Sequence, residues 1–179
     1  DKNRHPYIQP IENATFIGTI RFENLSKIEL GCLLCALDLP EGCTHKLGMG
    51  KPLGLGSVKL TPTLYISPSS TRYSDLWTEW LLPKEADSES KNYQTEFAKF
   101  ILTNLLTERE LINLIVTTDQ DWINELWKRS RLTALKLMLS LKTGYALQQQ
   151  NITCYQSPEE SRQRLVLQQP SKIVEEMLE

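Results

Sequence analysis

Apolar and polar residues along the chain switch between two periods, and the switches mark the elements. Over residues 14–24, Phe16, Gly18, Ile20 and Phe22 alternate with Thr15, Thr19, Arg21 and Glu23. A period of two predicts a half-buried strand. Helical spacing follows through Leu30, Leu33, Leu34 and Leu37, ending before Pro40. Its start is marked by Ser26 and Glu29 at capping-box spacing, with Leu25 and Leu30 at the two positions of a hydrophobic staple. Gly31 is expected to let this helix lie close on a sheet. Alternation returns in Val58, Leu60, Pro62, Leu64 and Ile66, so a second strand is predicted over 57–67. Pro62 has no N–H to donate, which makes that strand an edge or a bulged one.

Beyond residue 67 the pattern turns helical. Leu76, Trp77, Trp80 and Leu81 form a short apolar face, and 84–92 reads as a charged, Ser-containing loop. Tyr93, Phe97, Phe100, Ile101 and Leu105 predict a helix. Thr107 and Glu110 repeat the capping-box spacing. Residues 119–142 read as the longest helix, with Trp122, Ile123, Leu126, Leu135 and Leu139 on its apolar side and Lys128, Arg129, Arg131 and Lys136 on the other. The aromatic stripe is read as core rather than as a surface for stacking bases. Residues 152–155 suggest a short strand, and Ser171 caps a last short helix.

Between the first helix and the second strand lies the chemically most informative stretch, residues 45–59. Four of the eight glycines, Gly48, Gly50, Gly54 and Gly56, fall here, interleaved with His45, Lys46, Lys51 and Lys59. Glycine permits positive φ and close approach, so such a loop can gather backbone N–H groups into an anion-binding concavity. It is no Walker A loop, since Pro52 follows Gly50-Lys51 where Ser or Thr is required, and its glycine spacing misses the dinucleotide fingerprint. Both of those motifs also run from strand into helix, whereas this loop leaves a helix and enters a strand.

Charge sharpens the picture. The 179 residues carry a net charge of −2, but segments 46–74 and 126–158 sum to +4 and +5 around an acidic −7 at 75–125. Two basic zones of this kind suit a polyanion, or are simply solvated faces. With 40% hydrophobic and 23% charged residues, the chain has a globular composition. No signal peptide or apolar run of eighteen residues is present, so no membrane association and a cytoplasmic location are expected. The first residue is Asp1 rather than Met, which suggests a fragment or a processed product. Cys32, Cys35, Cys43 and His45 have a spacing that zinc could use, but Cys32 and Cys35 fall inside the predicted helix and read instead as buried small hydrophobes.

The strand Phe16-Ile17-Gly18-Thr19-Ile20-Arg21-Phe22-Glu23, the helix after it and the loop Gly48-Met49-Gly50-Lys51-Pro52-Leu53-Gly54-Leu55-Gly56 resemble the C-terminal half of a RAMP domain, the RNA-binding fold of CRISPR proteins. The His-Lys-Leu-Gly and Lys-Pro-Leu-Gly segments look most like type III effector RAMPs related to the backbone subunits. The resemblance implies an α+β, ferredoxin-like (RRM-type) domain, of which residues 14–70 are the closing β-α-β half. A leader (1–13) precedes it, and a helical region (71–146) and a tail (147–179) follow. It implies guide RNA and other effector subunits as partners, with target RNA as a further one, and no cofactor. RNA contacts would come from His45, Lys46, Gly48, Gly50, Lys51, Gly54, Gly56 and Lys59. The RNA-cleaving aspartate of such subunits belongs to the opening half, and no residue here matches it.

Two other functions fit parts of the pattern. A metal-independent RAMP endoribonuclease would need a general base and a general acid, and His5 and His45 are the only histidines. A protein-interaction module would use the Trp-rich helices for docking and the glycine loop only as a turn.

Overall fold

The structure, a computed structural model, describes residues 11, 13–51, 55–66, 87, 89–114, 116–142, 162, 163 and 172. These form five helices and a two-stranded antiparallel ribbon, an α+β arrangement. The helices are α1 (Lys27–Leu37), α2 (Ser90–Leu105), α3 (Glu108–Ile112), α4 (Asp119–Trp127) and α5 (Ser130–Leu139). The ribbon pairs β1 (His45–Lys46) with β2 (Ser57–Val58).

Local sequence sets the helix starts. Ser26 caps α1 as its spacing predicts: the Ser26 N–H donates to Glu29 Oε2 (2.8 Å) and the Glu29 N–H to Ser26 Oγ (3.3 Å). Thr107 and Glu110 do the same at α3, and a third box, Thr118 with Asp121, opens α4. Each box satisfies N–H groups that a helix start leaves without partners.

Packing departs from the sequence expectation at α1. Gly31 does let the helix come close to a neighbour, but that neighbour is α2 and not a sheet. A Cβ at Gly31 would sit 2.0 Å from the Tyr93 carbonyl oxygen and 2.8 Å from Phe97 Cβ. The contact is reinforced by Cys35 Sγ–H, which points to the Gln94 carbonyl at 4.0 Å, and by the Gln94 amide donating to Asp38 Oδ2 at 3.4 Å. Leu30 and Leu34 form the centre of the core with Leu64, and Phe22, Ile66 and Tyr93 pack around them.

The predicted strands are mostly not strands. Residues 14–24 make no ladder among the described residues, and Phe16 and Ile20, expected inside, are exposed. Only Phe22 of that segment reaches the core. Of 57–67 only Ser57–Val58 is paired, while residue 67 lies outside the described residues. Alternation nevertheless persists over 61–66, with Leu64 and Ile66 turned inward and Thr63 and Tyr65 outward. A strand requires a partner for its N–H and C=O groups, and side-chain period alone does not supply one.

The buried face of α2 is Gln94, Thr95, Ala98 and Leu102, while Phe100 and Leu105 of the expected stripe are exposed. At 16 residues, α2 is the longest of the described helices. The expected helix over 119–142 is broken at Lys128 and Arg129. In a continuous helix the Glu125 carbonyl would accept the Arg129 N–H. Here the Arg129 N–H turns to Leu126 O (3.1 Å) and its guanidinium Nε takes Glu125 O (3.2 Å). The Thr133 hydroxyl likewise donates to Trp127 O (3.3 Å). Side chains thus close one helix end, and the chain restarts in a new direction as α5.

The Gly31 contact has a direct consequence. Gly31→Ala should destabilise the chain by about 1–3 kcal/mol, the usual cost of overpacking. Cys32→Ala, one position along on the exposed side of α1, should change stability by less than about 0.5 kcal/mol. Urea unfolding of the two variants against the parent checks this.

Candidate nucleic-acid interface

The glycine loop is carried by the ribbon. His45 pairs with Val58 and Lys46 with Ser57, so His45 and Val58 share one face and Lys46 and Ser57 the other. On the inner face, His45 Nε2 lies 3.0 Å from the Leu37 carbonyl at the end of α1. A carbonyl only accepts, so Nε2 carries the proton in that contact. On the outer face the Lys46 ammonium donates to Ser57 Oγ at 2.6 Å, and burial pushes its pKa below the ordinary lysine value. Register decides this division of labour, since a one-residue slip would turn His45 outward and Lys46 inward.

Two backbone bonds shape the loop itself. The Leu47 N–H donates to Gly56 O (2.8 Å) and the Leu55 N–H to Gly50 O (3.2 Å). Gly48, Gly50 and Gly56 have φ of +89°, +73° and +74°, the left-handed region that L side chains rarely adopt. At Gly56 space is also missing, because a Cβ there would lie 2.0 Å from the Leu47 carbonyl oxygen. At Gly48 nothing lies within 4 Å. Among the described residues, none takes the N–H of Gly48, Met49 or Gly50, and Gly48 and Met49 are exposed. Lys51, next to Gly50, and Lys59, just past β2, are exposed cations. Gly54, the remaining predicted contact, lies outside the described residues, as does His5.

The predicted site residues therefore divide. Gly48, Gly50, Lys51 and Lys59 stand at the surface or its margin, Gly56 closes the loop, and His45 and Lys46 are engaged within the fold. Sequence reading missed the support from below. The segment just before β1 is bound to the end of α5: the Thr44 N–H donates to Leu139 O (3.0 Å), the Leu141 N–H to Gly42 O (3.2 Å), and Cys43 bridges Ser140. Nothing in the sequence pairs residues so far apart.

The cysteines separate by environment. Cys35 and Cys43 are buried, whereas Cys32, expected to be buried, is exposed. Burial pushes the Cys35 thiol up to about 12 and the Cys43 thiol up as well. Cys43 Sγ–H points to the Lys136 carbonyl at 3.5 Å. Among the described residues, no group of three His, Cys, Asp or Glu side chains is placed to hold a metal ion. None of the described helices is long and apolar enough to cross a membrane. No family model, curated protein or solved structure matches the chain.

Two outcomes test this geometry. Gly56→Ala should cost more stability than Gly48→Ala. Both acquire the strain of positive φ, on the order of 1–3 kcal/mol, but only Gly56→Ala also meets backbone. Thermal unfolding gives the order. In thiol labelling at pH 8, Cys32 should react well before Cys35, read by peptide mass mapping. Because the folded Cys35 pKa lies above the unfolded value, its contribution is complete below pH 9 and declines as pH rises through about 12.

Proposed function

We propose that this chain is an RNA-binding structural part of a type III CRISPR effector, with the 45–59 loop holding guide-RNA phosphates. The observation that carries the reading is the exposed turn in which Gly48 and Gly50 take positive φ around Met49, their N–H groups unclaimed by any described residue. N–H groups presented in this way suit anionic oxygens. Lys51 adds charge beside them, Lys59 stands at the far end of the ribbon past Val58, and the acid-free run 46–74 leaves nothing nearby in sequence to repel a phosphate. His45 is occupied by Leu37 O, which fits a role in supporting the loop better than one in cleaving RNA.

The same reading accounts for the paired segments α1, β1 and β2 as part of a ferredoxin-like RAMP domain. It also gives a use to residues 14–21, where Phe16 and Ile17 are 75% and 99% exposed. An apolar stretch of this kind is normally covered, and a neighbouring effector subunit would cover it.

A salt titration of guide-RNA binding by the full chain tests the proposal. Lys51→Ala should lower affinity about equally for all sequences and reduce the salt slope by about 1. Gly50→Val should weaken binding with little change in slope, because no charge is lost. Parent-like binding by both variants would reduce the loop to a turn and remove the RNA reading.

A further inference from the structure

We propose that the groove between the Pro40 turn and helices α4 and α5 takes one base of the RNA strand whose phosphates the glycine loop holds. This inference rests on the RNA reading above. The groove is a half-open cavity of about 420 Å³ whose lining includes Pro40, Asn124, Trp127 and Lys136. That volume is within the range of small-ligand clefts, about 300–1,000 Å³.

Its electrostatics favour a neutral ring over a phosphate. Two acids, Asp121 and Glu125, and two bases, Lys128 and Lys136, line it and balance in charge. Both acids are already engaged. Asp121 Oδ2 accepts the N–H groups of Thr117 (3.1 Å) and Thr118 (2.8 Å) and their hydroxyls (3.0 and 2.9 Å). Glu125 is paired with Lys128 and, at 3.4 Å, with Arg129. What the lining offers a ligand is then an indole, a side-chain amide and the Lys136 ammonium. An aromatic platform with a hydrogen-bonding amide and an ammonium donor is a lining that suits a nucleobase.

Its position links it to the loop. Pro40 O accepts the Cys43 N–H (3.1 Å), and Lys136 O accepts from Cys43 Sγ–H (3.5 Å). Cys43 also bridges Ser140, just two residues before β1 begins. Gly48 follows Cys43 by five residues, so the two lie within roughly 16 Å even if that stretch were fully extended at about 3.3 Å per residue. The fold thereby sets residues 42–44, just ahead of the basic segment 46–74, against residues 139–141 of the basic segment 126–158. A single RNA strand can reach both sites.

The test is binding of octauridylate and of a same-length abasic ribose-phosphate oligomer to the full chain. Trp127→Leu should weaken octauridylate about tenfold, leave the abasic oligomer unchanged and keep the salt slope, and Trp127→Phe should restore binding. Asn124→Ala, at an exposed position, guards against a folding defect and should weaken only the base-bearing oligomer, several-fold. Parent-like octauridylate binding by Trp127→Leu and Asn124→Ala overturns the inference. Equal losses for both oligomers overturn it too, since the groove would then hold phosphate. If the parent binds neither oligomer, the loop reading itself fails and this inference with it.

Discussion

The close approach of α1 to α2 at Gly31 is the contact on which the remaining structure depends. With only a hydrogen in place of a side chain, the two backbones meet near Tyr93, and Leu30 and Leu34 are brought onto Leu64. From there a closed circuit can be followed. The Thr95 hydroxyl of α2 reaches Asp119 O at the start of α4 (3.4 Å), and α4 passes directly into α5. The end of α5 is stitched to residues 42–44, and β1 returns to α1 through His45 and Leu37 O. Three of the links join residues far apart in sequence, so loosening Gly31 would loosen the loop at the other side of the circuit.

That circuit explains how a loop so rich in glycine can hold a shape. Glycine carries a large entropic cost when ordered, and a two-residue ribbon contributes little by itself. The loop's base is fixed instead from two sides, by α1 through His45 and by α5 through Cys43 and Thr44. Lys46 and Ser57 close its outer face. The exposed turn at Gly48–Gly50 then stands on a rigid base, a condition under which backbone N–H groups can be presented to a ligand without further ordering.

Several features decided within four residues were legible in the sequence. The boxes at Ser26 and Thr107 formed as their spacing required, and the need for glycine at positions 48, 50 and 56 showed in the loop's composition. Features decided by distant partners, or by side chains that cap a nearby carbonyl, were not. The period of two over 14–24 describes side-chain faces, and a ladder needs a neighbouring strand that no described residue provides. The period over 119–142 runs unbroken past Lys128, and the break comes from Arg129 and Thr133 capping carbonyls, a choice that hydrophobic spacing does not record. Gly31 announced a close contact without saying with what. Trp127, not singled out by its spacing, lines a groove whose other wall, Pro40, lies far away in sequence.

The central claim is that backbone N–H groups of the glycine loop receive RNA phosphates. Amide chemical shifts of the isotope-labelled chain, followed while guide RNA is added, report on those groups one by one. The account predicts that the Gly48, Met49 and Gly50 amides move first and furthest, downfield as N–H···phosphate bonds form, and that His45 and Gly56, already engaged, move less. Saturating RNA binding with those three amides unmoved would contradict it.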